Sequence, residues 1–262
     1  MVEHSKSESA VKLKQLYDTE YGDSISAFHK RNADIVSEQF LQIRNTSIKE
    51  SLNKLFNIQP GLGMDIILAQ EYCLKIVEEV SPVSDKKLKA IQQQFGSPFI
   101  IEYVALCNNQ AIAKLEDNKK KTGFVVNETP KTEASRIFDA IISKYKGKVI
   151  YVDFWATWCG PCRDGIDQIK PLKEELAGKD IVFVYITNPT SPQSTWSNMI
   201  PDIKGEHYRV TTDEWNFLTS MFNISGIPHY VLVGKTGEVI NPALGHFDNQ
   251  SLKRELEKYF ND

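Results

Sequence analysis

The hydrophobic pattern divides the chain into two parts with different periodicities. From about residue 8 to residue 120, apolar positions recur at spacings of three and four, the period of amphipathic helices. Beyond this stretch, short runs rich in β-branched and aromatic residues alternate with helical stretches, as strands and helices do in α/β proteins. The pattern therefore predicts an all-α domain over residues 1–121 and an α/β domain over residues 122–262.

Short sequence signals mark the ends of helices in the first domain. Ser84 is a candidate N-cap, and Pro98 fits a first helical turn, where its missing N–H costs little. The charged segment 117–123 follows the last helix and is expected to be the linker between the domains. The spacing also predicts two buried stripes, Ile66, Ala69, Cys73, Ile76 and Val77 on one helix and Ile100, Val104, Cys107, Ala111 and Leu115 on the last.

Two apolar runs flank a helix in the second domain. Residues 149–155 and 181–186 have the composition of strands buried on both faces, and the helix between them begins at Cys159. This order predicts a βαβ unit with parallel pairing and a right-handed crossover. Residues 188–212 are polar and rich in Pro and Ser, and we interpret them as an insertion. Further predicted elements are a strand at 124–126, helices at 136–145, 214–222 and 249–260, and a hairpin of 230–233 with 238–240.

Composition narrows the classes of function. Hydrophobic residues make up 41% of the chain and charged residues 25%, which is ordinary for a globular protein. A net charge of −3 offers no basic surface for nucleic acid, and no apolar run approaches the ~18 residues of a membrane helix. We therefore expect no nucleic-acid partner and no membrane span in this chain. Residues 1–6 lack the apolar segment of a signal peptide, which leaves open a cytosolic protein and an exported one whose signal is not part of this sequence.

The strongest chemical signal is the segment Cys159-Gly160-Pro161-Cys162, which directly follows the first apolar run. A cysteine at the start of a helix meets the positive end of the helix dipole and unpaired backbone N–H groups, which favour the thiolate. Cys162 lies about one helical turn further on, so a closed disulfide with Cys159 is feasible. Gly160 permits a tight turn, and Pro161 has a φ suited to a first helical turn. The spacing therefore indicates thiol–disulfide chemistry.

This segment, with Asp153 and Trp158 before it, resembles the active site of the thioredoxin superfamily. The resemblance covers roughly residues 125–262, and the stretch 188–222 together with Gly226-Ile227-Pro228 resembles the TlpA/ResA-like branch. The helical first half resembles that of Bacteroides-type members. The resemblance implies a thioredoxin fold, an α/β fold with a central mixed sheet flanked by helices, and protein thiol–disulfide oxidoreductase activity.

The same resemblance implies roles for individual residues. Cys159 would be the nucleophile, Cys162 the resolving thiol, and Asp153 the buried carboxylate that exchanges a proton with Cys162. Desolvation inside a buried strand would itself raise the pKa of Asp153, in agreement with that role. Pro228 matches the cis-proline beside the disulfide. The implied substrate-binding set is Trp158, Gly160, Pro161, Ile227 and Pro228.

Two positions depart from the pattern of the branch. Some members carry a Glu three residues after the second cysteine, and Gly165 occupies that position here, which leaves the proton transfer to Asp153. His229 follows Pro228 where Thr is common, and we interpret it as an ordinary strand histidine.

Other interpretations of the cysteines are weaker. A structural zinc site needs four ligands, usually from two cysteine pairs, and the chain has one such pair, so we expect no metal and no cofactor beyond the Cys159–Cys162 disulfide. Cys73 and Cys107 are expected to be buried thiols, a disulfide between them being the alternative.

The sequence as a whole predicts a dithiol reductase of protein disulfides that is regenerated by an upstream electron donor. The alternatives are a disulfide isomerase with a helical dimerisation arm and a thioredoxin-fold binding or scaffold protein. The resemblance implies the periplasm or cell envelope, with the cytoplasm as the alternative, and the oligomeric state stays open.

Overall fold

The computed structural model of the chain describes residues 43, 45–59, 61–245 and 248–260. The chain divides into two compact units, residues 1–69 and residues 70–262. In the first unit, residues 45–56 are helical. Residues 70–121 belong to the same unit as the strands, and the domain boundary expected at residue 121 stays a prediction.

Three helices lie within residues 62–118, before the sheet, and the starts of the second and third follow the sequence signals at Ser84 and Pro98. Helix α1 spans Leu62–Glu78, α2 spans Asp85–Gln92 and α3 spans Pro98–Asn118. Ser84 caps α2 by accepting a hydrogen bond from the backbone N–H of Lys87 at 3.4 Å. No helix in the described part of the chain is both long enough and apolar enough to cross a membrane.

The predicted buried stripe is confirmed on α3 and only partly on α1. Four of the five α3 positions are buried, as the spacing predicts, and Leu115 is half-buried. On α1 the prediction is wrong for Ile66 and Val77, which are exposed, whereas Ala69, Cys73 and Ile76 are buried. The two exposed residues lie at the margins of the stripe, and Leu68 and Tyr72 take the inner positions on the buried face instead.

A six-stranded mixed sheet forms the centre of the C-terminal half, in the order β1-β4-β3-β2-β5-β6. The first four strands of this order pair in parallel, and the last two pair antiparallel to their neighbours. The sheet and its flanking helices confirm the predicted fold class and the βαβ unit. The strands are β1 Phe124–Val126, β2 Val149–Phe154, β3 Ile181–Thr187, β4 Gly205–Arg209, β5 His229–Val233 and β6 Val239–Leu244.

Helices cover the sheet on both faces and enclose two cores. The helices are α4 Ile137–Ile142, α5 Gly160–Glu175, α6 Gln193–Met199, α7 Thr212–Met221 and α8 Asn249–Glu257, with 3₁₀ turns at Ala134–Arg136, Ser143–Tyr145 and Ile200–Asp202. Tyr151 on β2 and Trp155 just after it join the core beneath α5 and α8, whereas Val152 and Phe154 join the core beneath α4 and α7. Side chains alternate between faces along a strand, so Asp153 lies on the α5 face.

The interval 188–212 contributes directly to the sheet. It contains helix α6 and strand β4, and β4 lies between β1 and β3. The strand is short, and within it His207 and Tyr208 are buried among half-buried neighbours, so no run of apolar residues marks it. Trp196 and Met199 are buried and pack in the core of this half of the chain.

The charged segment after α3 is attached to the interval 188–212. The side-chain amide of Asn118 donates to the backbone oxygen of Asn198 at 2.8 Å, and Lys121 forms an ion pair with Asp202. The amide of Asn198 in turn donates to the backbone oxygen of Val80 at 3.0 Å. These bonds fasten the chain on both sides of α2 and α3 to the sheet-containing part of the same unit.

Candidate active site

The cysteine pair lies at the start of α5, shortly after the end of β2. Cys159 is the N-cap of α5 and forms a disulfide bond with Cys162, with 5.3 Å between the two Cα atoms. The backbone N–H of Cys162 donates to the sulfur of Cys159 at 3.2 Å. Pro161 occupies the first turn, where no N–H is needed. A thiolate at Cys159 is therefore stabilised by a backbone donor and by the helix dipole.

Both cysteines are buried, and Cys159 is the slightly more exposed of the two. Cys159 exposes 4% of its surface and Cys162 exposes none. Trp158 beside them is 57% exposed, and its indole N–H donates to the hydroxyl of Thr190 at 3.0 Å. An attack from outside therefore reaches Cys159 first, next to a large aromatic surface.

The loop after β3 supports this turn, and sequence reasoning missed it. The hydroxyl of Ser191 accepts from the backbone N–H of Thr157 at 3.0 Å and lies 2.8 Å from the hydroxyl of Thr187. Thr190 donates to the side-chain oxygen of Asn188 at 2.6 Å. Serines and threonines in a polar stretch carry no signal that distinguishes such bonds from ordinary loop contacts.

The segment before β5 completes the site. The Ile227–Pro228 peptide bond is cis, as predicted, and the backbone oxygen of Ile227 lies 3.7 Å from the sulfur of Cys159. The imidazole Nε2 of His229 lies 2.8 Å from the backbone oxygen of Pro242 on β6, so this side chain is tied to the hairpin. The structure thus brings Cys159, Ile227 and Pro228 together where β2 ends and β5 begins. Their role in substrate binding stays a prediction.

Asp153 is a buried acid beneath the cysteine helix. It exposes 2% of its surface, and its Oδ1 has no hydrogen-bond partner among the described residues. Burial raises the pKa of Asp153 well above its usual range, and the nearby charge of Lys173 opposes that rise. A carboxyl group in this state holds a proton at higher pH than an ordinary Asp, which suits it to accept one from a neighbouring thiol.

Tyr230 explains the glycine at position 165. A β-carbon at this position would lie 2.5 Å from the hydroxyl oxygen of Tyr230, which is closer than packed atoms approach. Tyr230 is the partner of Asp153 in the β2–β5 register. The tyrosine hydroxyl therefore occupies the space into which a side chain at position 165 would project.

This contact predicts a reversal of sign in a double variant. Gly165→Ala is expected to destabilise the wild-type protein by about 1–3 kcal/mol, because the new methyl group collides with the hydroxyl of Tyr230. In a Tyr230→Phe background the hydroxyl is absent, and the same substitution is expected to stabilise the protein by up to about 1 kcal/mol through helix propensity. Urea unfolding of the four variants measures both effects. If Gly165→Ala changed the free energy of unfolding in the same direction in both backgrounds, the collision with the Tyr230 hydroxyl would not be the cause.

The other two cysteines are buried, unpaired thiols. Cys73 and Cys107 do not form a disulfide in this structure. Burial and, to a smaller extent, a hydrogen bond with Cys107 raise the pKa of Cys73 to about 12. The thiol of Cys73 is therefore protonated at neutral pH and is a poor nucleophile. Within the described ranges, no three His, Cys, Asp or Glu side chains are placed to hold a metal ion together.

Comparisons with known proteins place similar sequences over the C-terminal half. The Redoxin family matches residues 139–259. The ResA thiol-disulfide oxidoreductase of Geobacillus kaustophilus is 24% identical over 119 residues, which are 44% of this chain and 66% of that protein. A thioredoxin of Staphylococcus epidermidis is 31% identical over 117 residues, which are 45% of this chain and 88% of that protein.

A solved structure covers the same region. The thioredoxin domain of a thiol-disulfide oxidoreductase from Bacteroides vulgatus is 21% identical to this chain, with a TM-score of 0.41. The match covers 46% of this chain and 84% of that domain.

Proposed function

Because the chain belongs to the thioredoxin superfamily as a ResA-like thiol–disulfide oxidoreductase, we propose that it reduces disulfide bonds of protein substrates through Cys159 and Cys162. The observation that carries the proposal is the cysteine pair itself, in which Cys159 at a helix N-cap, with 4% of its surface exposed, is bonded to the fully buried Cys162. No cofactor takes part, because the disulfide is the redox group.

The reaction has two exchange steps. In the first, the thiolate of Cys159 attacks one sulfur of the substrate disulfide, and the other substrate sulfur leaves as a thiolate. In the second, Cys162 transfers its proton to Asp153 and attacks the sulfur of Cys159. The Cys159–Cys162 bond forms, the remaining substrate sulfur leaves and takes a proton from water, and the substrate has gained two electrons. An electron donor then restores both thiols.

The Gly-Pro dipeptide between the cysteines supports the reducing direction. Thioredoxin, a strong reductant, has a potential near −270 mV, whereas oxidising members lie near −120 mV. Equilibration of the protein with glutathione redox buffers measures the potential of the Cys159–Cys162 couple. A value below about −230 mV is expected, and one near −120 mV would overturn the reductase assignment.

Catalytic turnover is tested on insulin, whose B chain precipitates once its interchain disulfides are reduced. With dithiothreitol as electron donor, the wild-type protein is expected to shorten the lag before precipitation. A wild-type curve that coincides with the protein-free control would refute the proposed activity, and refolding of a scrambled substrate with no insulin reduction would indicate an isomerase.

We also propose an extracytoplasmic location, the periplasm or cell envelope, with disulfide-bearing proteins as substrates. Protein disulfides persist in oxidising compartments, where a dedicated reductase has substrates. Fractionation of cells that express the full-length gene tests this placement, and recovery with cytoplasmic markers would support the alternative.

A further inference from the structure

A surface cavity lies beside the helix that carries both cysteines. It has a volume of about 120 Å³, and all of its lining belongs to the unit of residues 70–262. Three parts of the chain line it: α5, the end of α1 with the turn after it, and the end of α6 with the 3₁₀ turn that follows. We call it the α5 cavity, after Arg163, Ile166 and Lys170, which α5 contributes to its lining.

The floor of the α5 cavity is apolar. Its four members are each less than 8% exposed and belong to the core beneath α5: Val80, Ile166, Met199 and Ile203. An engineered apolar cavity of about 150 Å³ holds a benzene molecule. A volume of about 120 Å³ therefore leaves room for one aliphatic side chain and is small for an aromatic ring.

The rim of the α5 cavity is charged, and its charges already have partners. A charged ligand would have to break one of these ion pairs, whereas an apolar side chain would leave them intact. The lining therefore favours an aliphatic side chain over an ion. The pairs are Arg163 with Glu78 at 2.5 Å, Lys170 with Asp167 at 2.6 Å, and Asp202 with Lys114 and Lys121.

Arg163 connects the cavity with the cysteine motif. Its backbone N–H donates to the backbone oxygen of Cys159 at 3.2 Å, and a guanidinium nitrogen lies 3.9 Å from the point that a β-carbon on Gly160 would occupy. From Arg163 to Lys170 the cavity follows α5 for about 10 Å. An extended polypeptide advances about 3.3 Å per residue. A substrate with its cysteine at Cys159 can therefore reach the cavity with a side chain about two to four residues away.

The turn after α1 is held in place by α6. Val80 has a φ of 47°, a value that β-branched residues rarely adopt. The side-chain amide of Asn198 donates to the backbone oxygen of Val80 at 3.0 Å, and the hydroxyls of Ser81 and Thr195 lie 3.4 Å apart. These contacts keep Val80 and the rim residue Glu78 beside α5. The helical segment before the sheet thus supplies part of the wall of a cavity next to the active site.

We propose that the α5 cavity is a substrate subsite, which binds an aliphatic side chain located two to four residues from the reacting cysteine of the protein substrate. The inference rests on the proposed function and adds a sequence preference to it. In the first exchange step the substrate cysteine lies at Cys159, and the aliphatic side chain fills the cavity over Val80 and Ile166. Burial of that side chain raises kcat/KM for the substrates that carry it. The end of α1 and its turn thereby take part in substrate selection.

A set of cysteine peptides measures this preference. Each peptide carries one cysteine, joined by a disulfide to an aromatic thiol, in a chain of glycine and serine. One variable residue occupies, in turn, each of the four positions on either side of the cysteine. The thiolate of Cys159 attacks the peptide sulfur, and the coloured aromatic thiolate leaves. Its release in stopped flow, with the reduced wild-type protein, gives the second-order rate constant for each peptide.

Leucine at a position two to four residues from the cysteine is expected to raise the second-order rate constant about tenfold over alanine. Phenylalanine is expected to gain less than leucine, because the cavity is smaller than one that holds a benzene ring. Aspartate and lysine are expected to gain no more than about twofold, because the rim charges already have partners.

Three variants connect the preference with the cavity. Ile203→Phe fills the cavity from its floor, so the ratio of the leucine to the alanine rate constant is expected to fall to about one. Ile112→Phe makes the same change at an exposed position on α3 and is expected to keep the wild-type ratio. Glu78→Gln removes the carboxylate that binds Arg163, so the aspartate peptide is expected to react about two- to fivefold faster than it does with the wild type.

Three results would overturn the inference: a leucine gain of no more than about twofold at every position, a wild-type ratio in folded Ile203→Phe, or an unchanged aspartate rate in Glu78→Gln. Thermal unfolding shows whether each variant is folded, and Met199→Phe fills the same floor from α6 should Ile203→Phe be unfolded. None of these results touches the proposed function. That fails if the wild-type protein reacts with the alanine and leucine peptides no faster than Cys159→Ser does.

Discussion

At pH 7, the free energy of unfolding of Asp153→Asn is expected to equal that of the wild type or to exceed it, by on the order of 1–3 kcal/mol. The carboxyl group is fully buried, and one of its oxygens has no hydrogen-bond partner among the described residues. An amide of nearly the same shape carries no charge to desolvate. The substitution therefore removes a destabilising group from the folded state.

The pH dependence follows from the direction of the pKa shift. The folded-state pKa of Asp153 is raised, so the folded protein holds this proton more tightly than the unfolded chain, where the pKa is about 3.9. The stability contributed by the protonated form is present below pH 3.9 and is lost as pH rises through the folded-state pKa. The advantage of the Asn variant should therefore grow from acid towards neutral pH.

The same variant is expected to lose speed in the second exchange step. Cys162 has no acceptor for its proton, so its attack on the mixed disulfide should slow by about 10²-fold or more, whereas the attack by Cys159 changes little. Denaturation in urea from pH 4 to pH 8 and stopped-flow reduction of a model disulfide measure the two effects. Asp164→Asn, an exposed acid on the same helix, is the matched control. A clearly less stable and fully active variant would make Asp153 a structural residue.

Cys159→Ser is expected to reduce insulin no faster than the uncatalysed background, a loss of more than about 10³-fold. A hydroxyl group is not ionised at neutral pH and cannot form a disulfide, so the first exchange has no nucleophile. Cys73→Ser and Cys107→Ser make the same atomic change at buried, unpaired thiols and should keep activity within about twofold. Residual turnover in Cys159→Ser, or loss of turnover in a control variant, would show that another cysteine is the nucleophile.

The features that local sequence predicts are those set by short-range patterns. The apolar runs of β2 and β3 and the Pro161 turn mark strands and a helix start with little help from the rest of the chain. Burial of Asp153 follows from its place in such a run. These signals were enough to place the cysteine pair at the end of a central strand.

Contacts between elements that are distant in sequence could not be predicted from the hydrophobic pattern. Strand β4 has no apolar run, and its place in the sheet depends on pairing with β1 and β3. The collision between a side chain at Gly165 and Tyr230 joins a helix to a strand more than sixty residues away. Lys173 looks like an ordinary helix lysine until the fold turns its ammonium group onto Tyr185. Each of these depends on long-range geometry that residue spacing does not encode.

The most direct test of the central claim is covalent trapping with Cys162→Ser. This variant retains the nucleophile Cys159 but lacks the resolving thiol, so the first exchange should proceed and the second should stop. Incubation of the reduced variant with a disulfide-bearing protein such as insulin, followed by non-reducing electrophoresis and peptide mass spectrometry, identifies the linked residues. The account predicts a stable mixed disulfide from Cys159 to a substrate cysteine, absent from Cys159→Ser and released by dithiothreitol. Capture by Cys159→Ser instead, or a crosslink through Cys73 or Cys107, would contradict it.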